Sequence, residues 1–122
     1  MFIERGDTHR LRLHTDRGPF EGDLILLAIG VRPEVALARE MGLIIGNSGA
    51  IQVNFSQETS REGVYAVGDC AESYHRVSKK WVNVPLGDIA NKQGRIVGST
   101  IGGKPRLFPG IVGAQSFRIF EL

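Results

Sequence analysis

Glycine and aspartate residues stand where this chain could hold a bound sugar or nucleotide. Gly30 follows the apolar run of residues 24–29. Gly68 and Asp69 follow a second apolar run at residues 64–67. Ligands of open α/β sheets bind beyond the carboxyl ends of the strands, where glycine permits close approach and aspartate accepts hydrogen bonds from hydroxyl groups. The alternative interpretation is a turn or capping aspartate without a ligand.

A predicted helix start supplies the other candidates, Pro85, Leu86, Gly87 and Asp88. Proline favours the first turn, and the apolar stripe that follows predicts a helix over residues 85–101. The unpaired N–H groups and the dipole of such a helix favour partial negative charge on a bound group. A flat ring could pack where Gly87 lacks a side chain. An ordinary helix start, with Asp88 placed for the dipole, is the alternative.

Other patterns predict the elements that position these residues. Both apolar runs are predicted to be buried strands, because they are apolar on both faces. Alternation predicts a strand at residues 11–15, and a second one is expected from residue 111 onward. The remaining predictions are a turn at 16–19, a helix at 34–41 stopped by Gly42, a hairpin around 46–49, and a polar loop at 72–80.

Composition narrows the possible functions. The chain has 122 residues, 42% hydrophobic and 23% charged, with a net charge of +2, which is typical of a soluble globular protein. We expect no nucleic-acid partner, because the longest basic run is Lys79-Lys80, and no membrane span. Cys70 is the only cysteine, which fits a cytoplasmic location. We expect no catalytic role for Cys70, because the neighbouring Asp69 opposes thiolate formation, and no metal site.

Four motifs occur in order and carry a family resemblance: residues 27–33 (LAIGVRP), 64–72 (VYAVGDCAE), 85–95 (PLGDIANKQGR) and 108–113 (FPGIVG). Together they resemble the pyridine nucleotide-disulfide oxidoreductases, in the branch of coenzyme A-disulfide reductases, NADH oxidases and NADH peroxidases. The resemblance covers nearly the whole chain. It implies a protein that transfers electrons from NAD(P)H via FAD to a small-molecule disulfide, oxygen or peroxide.

The resemblance implies a role in FAD binding for five residues. Asp69 would bind the ribityl chain of FAD, and Gly68 would let the linker of the flavin pass close to the backbone. Gly87, with the neighbouring backbone of Leu86 and Asp88, would lie against the flavin ring. The start of the helix would then face the ring edge that becomes negative on reduction.

Three further residues match positions near the nicotinamide nucleotide of NAD(P)H in that family: Gly30, Pro85 and Ser116. The glycine-rich G-x-G-x-x-G turns that hold the two dinucleotides in the family do not occur in this chain. The redox cysteine expected near the family's N-terminus does not occur either. The chain by itself is therefore expected to be catalytically silent.

We therefore predict an α/β fold: a partial FAD/NAD(P)-binding Rossmann-like fold with a β-meander, as a fragment of a larger protein. Residues 1–31 would end an NAD(P)-binding domain, 32–106 would form the second half of an FAD-binding domain, and 107–122 would begin a C-terminal dimerisation domain. Exposed edges and apolar faces predict a homo-oligomer, with a dimer expected.

Alternative functions remain open at this stage. One is a non-catalytic flavin-binding or assembly half-module, which a partner chain completes. Another is a fragment of a flavoprotein reductase of the ferredoxin or nitrite reductase type. A purely structural α/β module is the third.

Overall fold

The computed structural model describes residues 2–7 and 10–113. The chain falls into two compact units, divided between Gly30 and Val31. No helix in the described ranges is long and apolar enough to cross a membrane.

The first unit is a three-stranded antiparallel β-meander. Strands β1 (Phe2–Glu4), β2 (Leu11–Thr15) and β3 (Gly18–Gly22) pair in sequence order. The predicted strand at residues 11–15 is confirmed, whereas the predicted turn is shorter than expected, because Gly18 and Pro19 already belong to β3. Proline can occupy β3 because an edge strand has one side free of ladder hydrogen bonds.

Arg12 on β2 contacts acidic residues of both neighbouring strands. Its Nε donates to Oε1 of Glu21 on β3 at 2.9 Å, and its guanidinium also contacts Asp7 and lies 3.9 Å from Glu4 on β1. The hydrogen bond to Glu21, followed by the one to Asp7, raises the pKa of Arg12 above its ordinary value. These contacts support the register in which Arg12 lies opposite Glu21.

The predicted buried strand at residues 24–29 is wrong. These residues form no strand, and Leu24, Leu26 and Ile29 are 84%, 85% and 82% exposed. A central strand needs a paired neighbour on each side and helices over its faces. The described residues place no such neighbours against this run.

Over residues 31–113, the structure describes two α-helices and a β-hairpin in the second unit: α1 (Ala36–Glu40), β4 (Ser73–His75), β5 (Lys80–Val82) and α2 (Gly87–Ile101). A 3-10 turn at Gly68–Cys70 precedes β4. Both predicted helices are confirmed, with later starts than expected. The predicted hairpin around residues 46–49 is confirmed. Its strands pair through one antiparallel bridge, between Ile45 and Ile51, and we call it the narrow hairpin.

Two predictions for the second unit are wrong. Residues 64–67 make only one bridge, between Tyr65 and Glu58, because Gly63 at φ 73° and the turn at Gly68 confine the extended stretch. Residues 72–80 include β4, the turn after it and the first residue of β5, and so belong to a hairpin rather than a loop. Glu72 and Ser73 are buried there, because Ser48 and Gln93 supply hydrogen bonds to their side chains.

The core of the second unit consists of two hydrophobic clusters. The larger joins α1 to the narrow hairpin and to residues 66–71, and includes Leu43, Val53 and Ala66. The smaller packs Ile89 of α2 against Phe108 and Ile111. Ile111 pairs with His75 of β4 by a parallel bridge, and the rest of the strand predicted from residue 111 onward falls mostly on residues 114–122, outside the described ranges.

Candidate functional site

An open cavity of about 650 Å³ lies between the 3-10 turn and the start of α2. This volume is within the range of roughly 300–1,000 Å³ that small-molecule sites occupy. Its lining residues are Val31, Arg32, Pro33, Glu34, Asp69, Cys70, Gly87 and Ala90. The structure thus brings together Asp69 and Gly87, which the sequence analysis singled out from separate motifs.

Gly68 directly precedes Asp69, which lines this cavity, and its backbone has the conformation that the 3-10 turn requires. Its φ is 77°, in the left-handed region that favours glycine. A Cβ at this position would lie 3.4 Å from the Cβ of Ala90, so the turn packs closely on α2. The N–H of Gly68 donates to Oε1 of Gln93 at 2.7 Å.

The carboxylate of Asp69 is available to a ligand. Asp69 is exposed, and among the described residues no group hydrogen-bonds its carboxylate. Its backbone oxygen, in contrast, accepts from Nδ2 of Asn83 at 2.8 Å. The backbone is therefore fixed while the carboxylate faces solvent, which suits an acceptor for hydroxyl groups.

The start of α2 is open. Leu86 occupies the N-cap position with an extended backbone and makes no side-chain capping bond. The first N–H groups, from Gly87 onward, are consequently free of such a cap. Asp88 accepts from Nζ of Lys92 at 3.1 Å, one turn along the helix.

Three other predicted site residues of the second unit, Pro85, Leu86 and Asp88, are not among the residues that line this cavity. Leu86 and Asp88 line a second one of about 270 Å³, together with Phe108 and Ile111. Pro85 is half-buried just before α2. Gly30 ends the first unit with φ 76°, and Ser116 lies outside the described residues.

Cys70 lines the cavity beside Asp69 and is half-buried. Its Sγ lies 3.5 Å from the backbone oxygen of Val67.

Three aromatic residues of the second unit, Phe55, Tyr74 and Trp81, are packing groups. Their rings contact one another, with centroids 5.3–5.6 Å apart.

Sequence reasoning missed two residues that hold the site together, Gln93 and Asn83. Gln93 is completely buried and bonds both Gly68 and Ser73. A signal for Gln93 was present, since a polar residue four positions after Ile89 and three before Ile96 lies on the apolar stripe of the helix. No comparable signal marked Asn83.

Comparison with known proteins places this geometry in a family context. A family model described as pyridine nucleotide-disulphide oxidoreductase matches residues 2–94. The NAD(P)H sulfur oxidoreductase (CoA-dependent) of Pyrococcus furiosus is 43% identical over 108 residues, which cover 88% of this chain and 24% of that protein. The chain spans about a quarter of the length of the curated relatives it matches.

Solved structures are similar over the same region. The NAD-dependent persulfide reductase from A. fulgidus has a TM-score of 0.85 and 38% identity, over 98% of this chain and 22% of that one. An FAD-dependent pyridine nucleotide-disulphide oxidoreductase from Desulfovibrio vulgaris has a TM-score of 0.81 and 39% identity, over 90% of this chain and 28% of that one.

Proposed function

Because the chain belongs to the pyridine nucleotide-disulphide oxidoreductase family, we propose that it forms the ribityl- and ring-facing side of an FAD site. The family assignment confirms the resemblance inferred from the sequence and its partial Rossmann-like α/β fold. One observation carries the proposal: Asp69 and Gly87, from two separate motifs, line one cavity.

The predicted FAD-binding residues in and around the cavity have distinct tasks in this proposal. The Asp69 carboxylate accepts hydrogen bonds from ribityl hydroxyls, and Gly68 leaves room for the linker of the cofactor. The uncapped N–H groups at the start of α2, near Leu86, Gly87 and Asp88, face the ring edge that gains negative charge on reduction. A helix dipole contributes about 0.3–2 kcal/mol to such charge, so this end tunes the flavin.

We propose NAD(P)H as the electron donor, with Pro85, just before α2, near the nicotinamide nucleotide. The role of Gly30 in binding this nucleotide stays a prediction. The chemistry that bound FAD would supply is acceptance of a hydride from NAD(P)H and delivery of the two electrons to the acceptor. The D. vulgaris protein is named as FAD-dependent and the A. fulgidus protein as NAD-dependent, which supports this pair of cofactors.

The acceptor that we propose is a small sulfur compound, a persulfide or a disulfide of coenzyme A. Similar proteins are named for sulfur and for persulfide, and the first is named as CoA-dependent. We assign no acceptor chemistry to Cys70, because it is the only cysteine of the chain and has no second cysteine with which to form a disulfide.

We further propose that residues 1–31, 32–106 and 107–122 belong to the NAD(P)-binding, FAD-binding and dimerisation domains. Exposed apolar residues such as Leu24 and Leu26 support a homo-oligomer, and a dimer is expected. The single free cysteine supports a cytoplasmic location.

Riboflavin provides a sharp test, because it contains the ring and the ribityl chain but no pyrophosphate. We expect the chain to bind riboflavin and FAD with similar affinity in a fluorescence titration, since its residues face only the shared part. Asp69→Ala should weaken both by about tenfold, the loss expected for one or two hydrogen bonds. Glu34→Gln, at another residue that lines the cavity, is the control and should leave both affinities unchanged. Absence of flavin binding, or binding that Asp69→Ala leaves unchanged, would overturn the proposal.

A further inference from the structure

We propose that Gln93 is a positioning residue of the flavin-facing cavity: it fixes the Gly68 turn to α2 and so sets Asp69 relative to Gly87. This inference rests on the proposed function, because it concerns the same cavity. Gln93 does not line that cavity and acts through Gly68.

The side chain of Gln93 is held at both ends. It has 0% exposure, its Oε1 accepts from the N–H of Gly68 at 2.7 Å, and its Nε2 donates to Oγ of Ser73 at 2.9 Å. A backbone N–H can only donate, so the amide oxygen must face Gly68. The orientation of the amide is therefore determined by its partners.

In this proposal, the hydrogen bond from the Gly68 N–H to Gln93 sets the distance between Asp69 and Gly87, the two residues that would contact the flavin. Gly68 begins the 3-10 turn and is followed directly by Asp69. Gly87 begins α2, six residues before Gln93, or about 9 Å along a helix that rises 1.5 Å per residue. Because α2 carries both Gly87 and the anchor for Gly68, it acts as a rigid spacer between the two sides of the cavity.

Gln57 shows that burial of a glutamine does not by itself create such a link. It is also 0% exposed, yet neither its Oε1 nor its Nε2 has a hydrogen-bond partner among the described residues. The two residues therefore form a matched pair, in which the same change to leucine removes two hydrogen bonds at Gln93 and none at Gln57.

The experiment uses the full chain, labelled with ¹⁵N, in four forms: wild type, Gln93→Leu, Gln93→Glu and Gln57→Leu. Amide hydrogen exchange reports the protection of the Gly68 N–H, and a riboflavin titration reports affinity. Gln93→Leu should lose the protection at Gly68 and bind riboflavin about tenfold more weakly. Gln93→Glu keeps an oxygen for Gly68 and should largely retain both. Gln57→Leu should change neither. If Gln93→Leu does not fold, Gln93→Met replaces it.

The two measurements separate the possible failures. Unchanged protection of Gly68 in Gln93→Leu would overturn the hydrogen bond itself, whatever the flavin result. Lost protection with unchanged riboflavin affinity would show a purely structural link and overturn the positioning role. If the wild-type chain binds no riboflavin while Gln93→Leu still exposes Gly68, the proposed flavin site fails and the positioning role fails with it.

Discussion

The carboxylate of Glu72 occupies the space that a side chain at Gly46 would need. Glu72 is 2% exposed, and its Oε1 accepts from Oγ of Ser48 at 2.7 Å and from the N–H of Ser48 at 3.3 Å. A Cβ built on Gly46 would overlap that carboxylate. The narrow hairpin and the start of β4 are therefore joined by a buried acid, whose carboxylate a side chain at position 46 would have to displace.

Gly46→Ala should destabilise the second unit, because the new methyl group displaces the Glu72 carboxylate from Ser48. We expect a loss of about 1–3 kcal/mol in the free energy of unfolding, the range for disturbing a buried polar group. The measurement is chemical denaturation followed by the fluorescence of Trp81.

Gly98→Ala is the matched control, since a Cβ at Gly98 in α2 meets nothing within 4 Å. That change should stabilise the chain by about 0.5–1 kcal/mol through helix propensity. Equal effects of the two substitutions would contradict the steric role of Glu72.

Local patterns predicted the elements that depend on local contacts. The helix α2 follows from its apolar stripe and the glycines at its end, and β2 follows from alternation. The exposure of residues 24–29 could not be predicted from their apolar character, because burial depends on neighbouring strands that the described residues do not supply. Hydrophobicity alone does not show whether a segment has a neighbouring strand to pair with.

The candidate site was predicted in its parts but not in its assembly. Asp69 and Gly87 were identified from separate motifs, and the cavity unites them. Gln93 lies 25 positions after its partner Gly68 along the chain, and a contact over that distance has no local signature. Its only trace was a polar residue on an apolar stripe.

Gly110→Ala should destabilise the pairing of Ile111 with β4. Gly110 has φ 83°, and a Cβ there would lie 2.5 Å from the backbone oxygen of Tyr74, which also accepts from the N–H of Ile111 at 2.8 Å. Left-handed strain costs about 1–2 kcal/mol, and the clash with a backbone atom adds to it. Denaturation midpoints provide the measurement.

Gly103→Ala separates the two causes, because Gly103 has φ 77° and open space around its Cβ position. This control should show the strain alone. A loss at Gly110 no larger than that at Gly103 would mean that Tyr74 shifts without cost.

Gln57→Leu should stabilise the chain. Both polar atoms of the Gln57 side chain are buried without a partner among the described residues, at a cost of about 1–3 kcal/mol. Leucine has a similar size and carries no polar group, and the backbone at φ 65° stays equally strained. The free energy of unfolding should rise by ~1 kcal/mol or more, at an unchanged denaturant slope. A fall would instead indicate an internal water bonded to Gln57.

Asn83→Ala should loosen the backbone that presents Asp69. Nδ2 of Asn83 donates to the backbone oxygens of Asp69 at 2.8 Å and of Ala71 at 3.4 Å, so its removal leaves both acceptors without this donor. We expect a loss of ~1 kcal/mol in stability and a riboflavin affinity weakened several-fold. Asn91→Ala, at an exposed position of α2, is the control and should change neither quantity beyond ~0.5 kcal/mol. If Asn83→Ala lowers stability while riboflavin binds as before, the side chain of Asp69 does not depend on this anchor.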